Sequence, residues 1–167
     1  MGTTTFSGPI VSTNGFTGDV TGASLGATPV NATASTLTVT RASHAGRHVT
    51  LNRAAGIAVT LPAATGTGAI YTFSIGTTIT SNSTTIKAAS ASDSFLGQAL
   101  VVSDGAAAVL GYVVAANDDT ITLNGTTTGG IIGDTIIVTD VATGLFMVNM
   151  ISSATGTEAT PFSATVS

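Results

Sequence analysis

Two histidines four residues apart, His44 and His48, have the spacing that comes closest to a metal site. On a helix, this spacing would place both imidazoles on one face, where they could bind zinc. Here, however, the context is a turn leading into a strand, and no third ligand lies near them in the sequence. We therefore expect polar turn residues rather than a metal centre.

Acidic pairs and glycine-rich runs also lack the partners that chemistry requires. Asp118-Asp119 comes without the alternating acids, glycine and closing glutamate of a calcium loop. Gly129-Gly130 lacks the strand-to-helix setting of a dinucleotide-binding loop. No GxSxG elbow occurs, and no carboxylate pair has a setting suited to acid–base catalysis. We expect a non-enzymatic protein that uses no cofactor.

The composition points to a surface made for contact with other proteins. Charged residues make up 7% of the 167 residues, against about 25% in ordinary soluble domains. Hydrophobic residues reach 43%, mean hydropathy is +0.51, and the pI is about 4.6. Four basic residues and an acidic pI argue against a nucleic-acid partner. Apolar stretches are too short for a membrane helix, and residues 1–10 do not resemble an export signal, so we expect synthesis in the cytoplasm and no membrane partner.

Period-two alternation of apolar and polar residues is the main structural signal. Leu37 and Val39 alternate with threonines, as do Val49 and Leu51 with Thr50 and Asn52. This pattern places one set of side chains on a buried face of a strand. We predict an all-β fold, an antiparallel β-sandwich or a small β-barrel with an extended N-terminal arm. The predicted strands are 36–40, 49–52, 57–61, 69–75, 77–80, 84–88, 99–103, 107–114, 120–123, 135–139 and 145–150.

The two ends of the chain differ from this core. We expect an arm over residues 1–34, a core over residues 35–151, and a C-terminal strand or tail over residues 152–167. The arm combines Gly, Thr and Ser with widely spaced apolar residues, a pattern typical of a segment ordered by docking. Its candidate contacts with a shell or a neighbouring subunit are Phe6, Ile10, Val11 and Phe16.

Charge is sparse but divided along the sequence. All four basic residues precede residue 88, and seven of the eight acidic residues follow residue 92. One interpretation is that the two halves neutralise each other inside one sandwich. The other is that Arg41, Arg47 and Arg53 face the acidic half of a neighbouring subunit or an acidic patch on a shell, which would fix register more than strength.

Three stretches resemble proteins of one group. The segment TTTFSGPI at 3–10, followed by Asn14-Gly15-Phe16, resembles the start of small proteins encoded near the major capsid gene of tailed bacteriophages. The run from 44 to 73, with HAGR at 44–47, VTLPAA at 59–64 and YTF at 71–73, is similar to a β module of phage head-decoration and fibre proteins. The ending GTEATPFS at 156–163 resembles the same group.

This resemblance to capsid decoration proteins implies a homotrimer on the exterior of a capsid. Its partner would be the major capsid protein, bound between capsomers, and it implies no catalytic residues. The alternative is a head- or tail-fibre protein that binds a host-surface glycan, although the chain has no Trp for stacking on sugars. A fimbria-like subunit is disfavoured by the expected lack of an export signal.

Overall fold

Nearly all regular structure in the computed structural model, which describes residues 28–105 and 108–166, is β-strand. Among these residues the one α-helix, α1, is a single turn, and no helix is long and apolar enough to cross a membrane. In chain order the elements are β1 (Val30–Ala32), β2 (Thr36–Thr38), α1 (Arg41–His44), β3 (His48–Leu51), β4 (Ala58–Thr60), β5 (Ile70–Ile75), β6 (Thr84–Lys87), β7 (Ser94–Ser103), β8 (Val109–Val113), β9 (Thr120–Leu123), β10 (Thr135–Ala142), β11 (Leu145–Ala154) and β12 (Phe162–Ser163).

The strands form two open sheets that pack together, which confirms the predicted β-sandwich class. Sheet 1 has the order β1-β3-β5-β10-β11-β7-β8, and sheet 2 has the order β12-β9-β6-β4-β2. Pairing is mixed, whereas the sequence suggested antiparallel strands. The pairs β1–β3, β3–β5, β2–β4, β4–β6 and β7–β11 are parallel. Alternation identifies the buried face of a strand but carries no information on the direction of its partner.

The parallel pairs come mainly from the way the chain alternates between sheets over residues 30–87. Odd-numbered strands β1, β3 and β5 enter sheet 1, and even-numbered strands β2, β4 and β6 enter sheet 2. Each successive strand pair therefore stacks on the previous one in the same direction, as in a short solenoid. The register Val30↔Val49↔Phe73 aligns equivalent inner positions of these turns.

A continuous core lies between the sheets because the inward positions are apolar in both. The ring of Phe95 lies edge-on to that of Phe146, with centroids 6.2 Å apart. Each fully buried aliphatic or Phe side chain contributes about 1.5–3 kcal/mol relative to exposure. One inner row crosses all strands of sheet 1 through Val30, Val49, Phe73, Ile136, Met150, Ala99 and Tyr112. A matching row crosses sheet 2 through Leu37, Val59, Ile86, Ile121 and Phe162.

The predicted strand at 77–80 is wrong, because its backbone joins loops instead of a sheet. Ile79 donates its N–H to the Gly130 carbonyl at 2.9 Å, and Thr80 donates to the Ala54 carbonyl at 2.8 Å. Ile79 is nevertheless buried, so its side chain gave the apolar signal of a strand.

Strand β7 begins at Ser94, five residues before the predicted start at residue 99. Gly97 interrupts the apolar pattern there, and it has a φ of +120°. An added Cβ would collide with the Val148 carbonyl oxygen of the neighbouring strand. The glycine is therefore required by close backbone approach inside a long strand.

At the ends, the predicted arm falls mostly on residues 1–27, which lie outside the described residues. Residues 28–34 are described and contain β1. The C-terminal stretch forms β12, an edge strand of sheet 2. The domain boundaries at residues 34 and 151 stay a prediction.

Candidate functional site

The outer face of sheet 1 changes character from one edge to the other. On β1, β3 and β5 the outward side chains Asn31, His48, Thr50, Thr72 and Ser74 form what we call the polar half. Ile70, at the start of β5, is its one apolar member and is 47% exposed. On β10, β11, β7 and β8 the outward positions are largely aliphatic. We call the following eight side chains the apolar half: Leu96, Leu100, Val102, Val109, Val113, Ile137, Met147 and Ile151.

The apolar half arises because its strands are apolar on both faces. In β7 the inward residues Ala99 and Val101 are buried, and their neighbours Leu100 and Val102 point outward. In the register of sheet 1, Ile151 lies beside Leu100, and Val102 lies beside Val109. The aliphatic side chains therefore form neighbouring pairs across strands instead of isolated exposed residues.

The exposure of these side chains is large. Val113 is 75% exposed, Ile151 63% and Val109 60%. Taken together, the eight residues present on the order of 700 Å² to solvent, comparable with the largest patches on monomers, which measure about 300–600 Å² and are often functional. A patch of this size marks an interaction surface.

Uncharged amides occupy the middle of the apolar half. Gln98 and Asn149 are register neighbours, between the row of Met147 and Leu96 and the row of Ile151 and Leu100. Strands β7, β8 and β11 contain no charged residue, and the one charged residue of β10, Asp140, is buried. The surface therefore offers apolar area and amide hydrogen bonds without a net charge.

Strand β8 borders this surface and, among the strands of residues 28–105 and 108–166, it is an edge of sheet 1 that pairs with β7 alone. Its five residues, Val109–Val113, contain no charge and no proline. Natural proteins usually protect exposed edges with lysine, proline or bulges, because an edge is a template for pairing with another chain. The edge and the apolar half are thus continuous.

The acidic residues of the second half are used inside the molecule. Asp140 accepts hydrogen bonds from the Thr65 and Gly66 N–H groups at 3.1 and 2.7 Å, and from the Thr67 N–H and hydroxyl at 3.0 and 2.7 Å. Burial raises the pKa of the Asp140 carboxyl, but these donors outweigh it and hold the pKa below its usual range. The carboxylate thereby fastens the loop before β5 to β10.

Asp119 has a similar role near the C-terminal residues. It accepts the N–H groups of Thr165 at 2.9 Å and Val166 at 3.2 Å, and the Thr120 hydroxyl at 2.8 Å. Burial raises the pKa of the Asp119 carboxyl, whereas these donors and the Lys87 charge lower it, with a net decrease. The residue ties the segment after β12 to β9.

Burial and hydrogen bonding also act on the pKa of Asp134, but here burial is the stronger of the two. It accepts the N–H groups of Ser153, Gly130 and Ile131 at 2.8, 2.7 and 3.0 Å. Burial outweighs these hydrogen bonds and raises the pKa of the Asp134 carboxyl. Asp93 and Asp118 are buried as well, so five of the seven acids after residue 92 contribute little surface charge.

The three arginines predicted as contacts are not gathered into one patch. Arg47 donates from Nε to the Thr28 carbonyl at 2.9 Å and from Nη1 to the Ser43 carbonyl at 2.9 Å. Arg53 lies beyond the other end of β3 and donates to the Gly56 carbonyl at 2.6 Å. Arg41 is exposed on α1. Their role as contacts stays a prediction.

The two histidines play separate roles. His44 is buried and accepts the Thr40 N–H at Nδ1 at 3.0 Å, which fixes α1. His48 lies exposed on the polar half, with its Nε2 2.7 Å from the Ser74 hydroxyl. Across residues 28–105 and 108–166, no group of three or more His, Asp or Glu side chains is placed to hold a metal ion.

The apolar half is the feature that the sequence reasoning missed. Its signal was present in runs such as Leu100-Val101-Val102, where apolar residues occupy both phases of a strand. The predicted arm residues Phe6, Ile10, Val11 and Phe16 lie outside the described residues. Comparison with known proteins gives no family: no family model, no curated protein and no solved structure matches this chain.

Proposed function

We propose that this chain is a non-enzymatic structural protein of a tailed-phage virion, which decorates and stabilises the capsid from outside. The observation that carries the proposal is the apolar half, a surface of on the order of 700 Å² without charge. Such a surface favours an assembled state, because covering it removes apolar area from water at about 25 cal/mol per Å². The sequence resemblance supplies the kind of assembly.

In this function the sandwich is a rigid body held between the capsomers. Inner rows of side chains cross every strand of both sheets, and buried aspartates fasten the loops. Such a body transmits force between neighbouring shell subunits without deforming. Each copy contributes a modest free energy of stabilisation at one contact between capsomers. Because a shell has many such contacts, these contributions add up.

The N-terminal residues are the proposed link to the major capsid protein. Phe6, Ile10, Val11 and Phe16 supply apolar anchors for grooves on the shell. Strand addition at a free sheet edge is the general mode by which an extended segment binds, because it uses backbone hydrogen bonds. Arg41 is exposed and available for a charged contact.

The test is co-sedimentation with empty shells assembled from the capsid protein of the same genome. Removal of residues 1–20 is expected to abolish binding, while circular dichroism and thermal unfolding of the core remain unchanged. A matched variant, Phe6→Ser with Phe16→Ser, keeps the length and is expected to weaken binding at least about tenfold, as for anchor residues in other interfaces. Normal shell binding by both variants would refute the role of these residues.

A glycan-binding fibre protein is the less favoured function. The described aromatic side chains point inward: Tyr71, Phe73, Phe95, Phe146 and Phe162 are buried and Tyr112 is half-buried. Sugar stacking would need an aromatic face exposed to the ligand.

A further inference from the structure

The chemistry of the apolar half bears on what covers it. We infer that this surface is a self-association interface, covered in solution by a second copy of the same chain. The inference deepens the proposed structural function by naming the partner of this surface, and it rests on that function only for the need to cover it.

The first argument is area. A stable protein–protein interface buries about 800 Å² on each partner. The eight residues of the apolar half expose on the order of 700 Å², which is close to that requirement. The surface therefore has nearly the area of one side of a standard interface.

The second argument is chemical self-complementarity. A surface that binds its own copy must avoid meeting like charges, and the apolar half has no charged side chain. Its central polar residues, Gln98 and Asn149, are amides. An amide carries both donors and an acceptor, so it can hydrogen-bond to the same amide of a second copy. An acidic or basic partner would find no opposite charge there.

The third argument is position in the sheet. The apolar half begins at β10 in the middle of sheet 1 and ends at β8, which is the outermost strand of this sheet in the described part of the chain. A second copy seated on the apolar half would also shield β8, whose edge carries no protective charge. The polar half, with its hydroxyl groups and His48, would stay in water.

The structure offers a matched pair of substitutions on one row of this sheet. The row runs from Asn31 at one edge through Thr50, Ser74, Thr135, Ile151 and Leu100 to Gly111 at the other edge. Gly111→Asp adds a carboxylate inside the apolar half. Its Cβ would meet only Leu100 Cδ2, at 3.9 Å, so the isolated sandwich has room for it. Asn31→Asp adds the same charge to the polar half.

The experiment is sedimentation velocity of the full chain from about 1 to 100 µM, the range of moderate affinities. Wild type is expected to sediment as a multimer of its 16.3 kDa chain, of two copies or three. Gly111→Asp is expected to weaken self-association by about 100-fold or more, because it buries an unpaired charge. Asn31→Asp is expected to sediment as wild type does.

A wild type that stays monomeric over this range would overturn the inference and leave the surface to a shell protein or to another segment of the chain. Multimers of equal stability in both aspartate variants would overturn it too. If Gly111→Asp does not fold by circular dichroism, the variant with Leu100→Thr and Ile151→Thr decides, since threonine suits strands. A monomer then supports the inference, and an unchanged multimer overturns it.

Sedimentation velocity tests self-association independently of the proposed function, because the sample contains no shells. If the wild type forms multimers but does not bind shells, the capsid role is contradicted and self-association is supported. If a monomeric wild type binds shells, self-association is contradicted and the capsid role is supported.

Discussion

The two halves of the outer face of sheet 1 are built on one sheet and differ in what they expose. Apart from Ile70, the polar half presents hydroxyl, amide and imidazole groups from β1, β3 and β5, which solvate well. The apolar half presents mainly aliphatic side chains from β10, β11, β7 and β8, with the amides Gln98 and Asn149 between them. Both inner faces are covered by sheet 2, so the sandwich is stabilised in the same way throughout. We therefore attribute the difference to the proposed second copy on the apolar half and not to stability within the sandwich.

The largest effect is expected from a comparison of two neighbouring residues of β11, one on each face of the strand. Phe146 is buried in β11, and its neighbour Met147 points outward in the apolar half. Phe146→Ala is expected to lower the free energy of unfolding by about 3–5 kcal/mol, because it leaves a cavity against Phe95. Met147→Ala is expected to cost less than about 1 kcal/mol in the dissociated chain. Urea unfolding at low protein concentration measures both, and equal losses would contradict the assignment of inner and outer faces.

The next largest effect is expected at Asp140, which connects β10 to the loop before β5. Asp140→Ala leaves the N–H groups of Thr65, Gly66 and Thr67 without their acceptor. We expect a loss of about 1–3 kcal/mol, because hydrogen bonds to a charged group contribute about 1.5–3 kcal/mol, while Thr65, Gly66 and Thr67 are exposed and their N–H groups can bind water instead. Asp104→Ala is the control: Asp104 is exposed, and a change within about 0.5 kcal/mol is expected. Thermal unfolding that shows no difference between the two variants would count against the fastening role.

Acid is expected to weaken the fold through the same carboxylates, with one exception. The pKa values of Asp140 and Asp119 are lowered in the folded state. Their contribution is complete above the unfolded pKa of about 3.9 and is lost as the pH falls through the folded pKa. The pKa of Asp134 is raised, so its contribution is complete below about 3.9 and is lost as the pH rises through the folded pKa.

Urea unfolding between about pH 7 and pH 3 tests these signs. Relative to wild type, Asp140→Asn is expected to lose less stability on acidification, and Asp134→Asn is expected to lose more. Parallel pH profiles for the two variants would show that the two carboxylates do not differ as their surroundings imply.

The smallest change in stability is expected from a substitution at the boundary between the polar half and the apolar half. Thr72, on β5, is the register neighbour of Ile137 on β10. Thr72→Val extends the apolar half by one side chain and is expected to change the free energy of unfolding by no more than about 0.5 kcal/mol. Chemical unfolding of the dissociated chain checks this, with Thr60→Val on the exposed side of β4 as control. A loss above about 2 kcal/mol would show that the Thr72 hydroxyl satisfies a buried partner.

Much of the strand content was predictable because alternation records which side of a strand is buried. Val49, Leu51, Ile57, Val59 and Leu61 were expected inside and are buried. Glycine between two predicted strands is a turn signal in any sequence, and Gly56 and Gly66, which stand in such places, have positive φ. Strand ends were less accurate: β7 was missed before residue 99 because Gly97 is needed for contact with a neighbouring strand, which no local pattern records.

The sequence alone determined the class of the fold, the inner face of most strands and the positions of several turns, since those depend on local spacing and local backbone preference. Only the tertiary structure decided that the strands over residues 30–87 alternate between two sheets in parallel. It alone decided that the aspartates face backbone N–H groups instead of solvent. Strand order, too, was decided there, and it places Ile151 beside Leu100 and Val109 beside Val102 on an exposed face of the described sandwich. Those outcomes depend on contacts between residues far apart in the chain, and spacing along a sequence does not specify them.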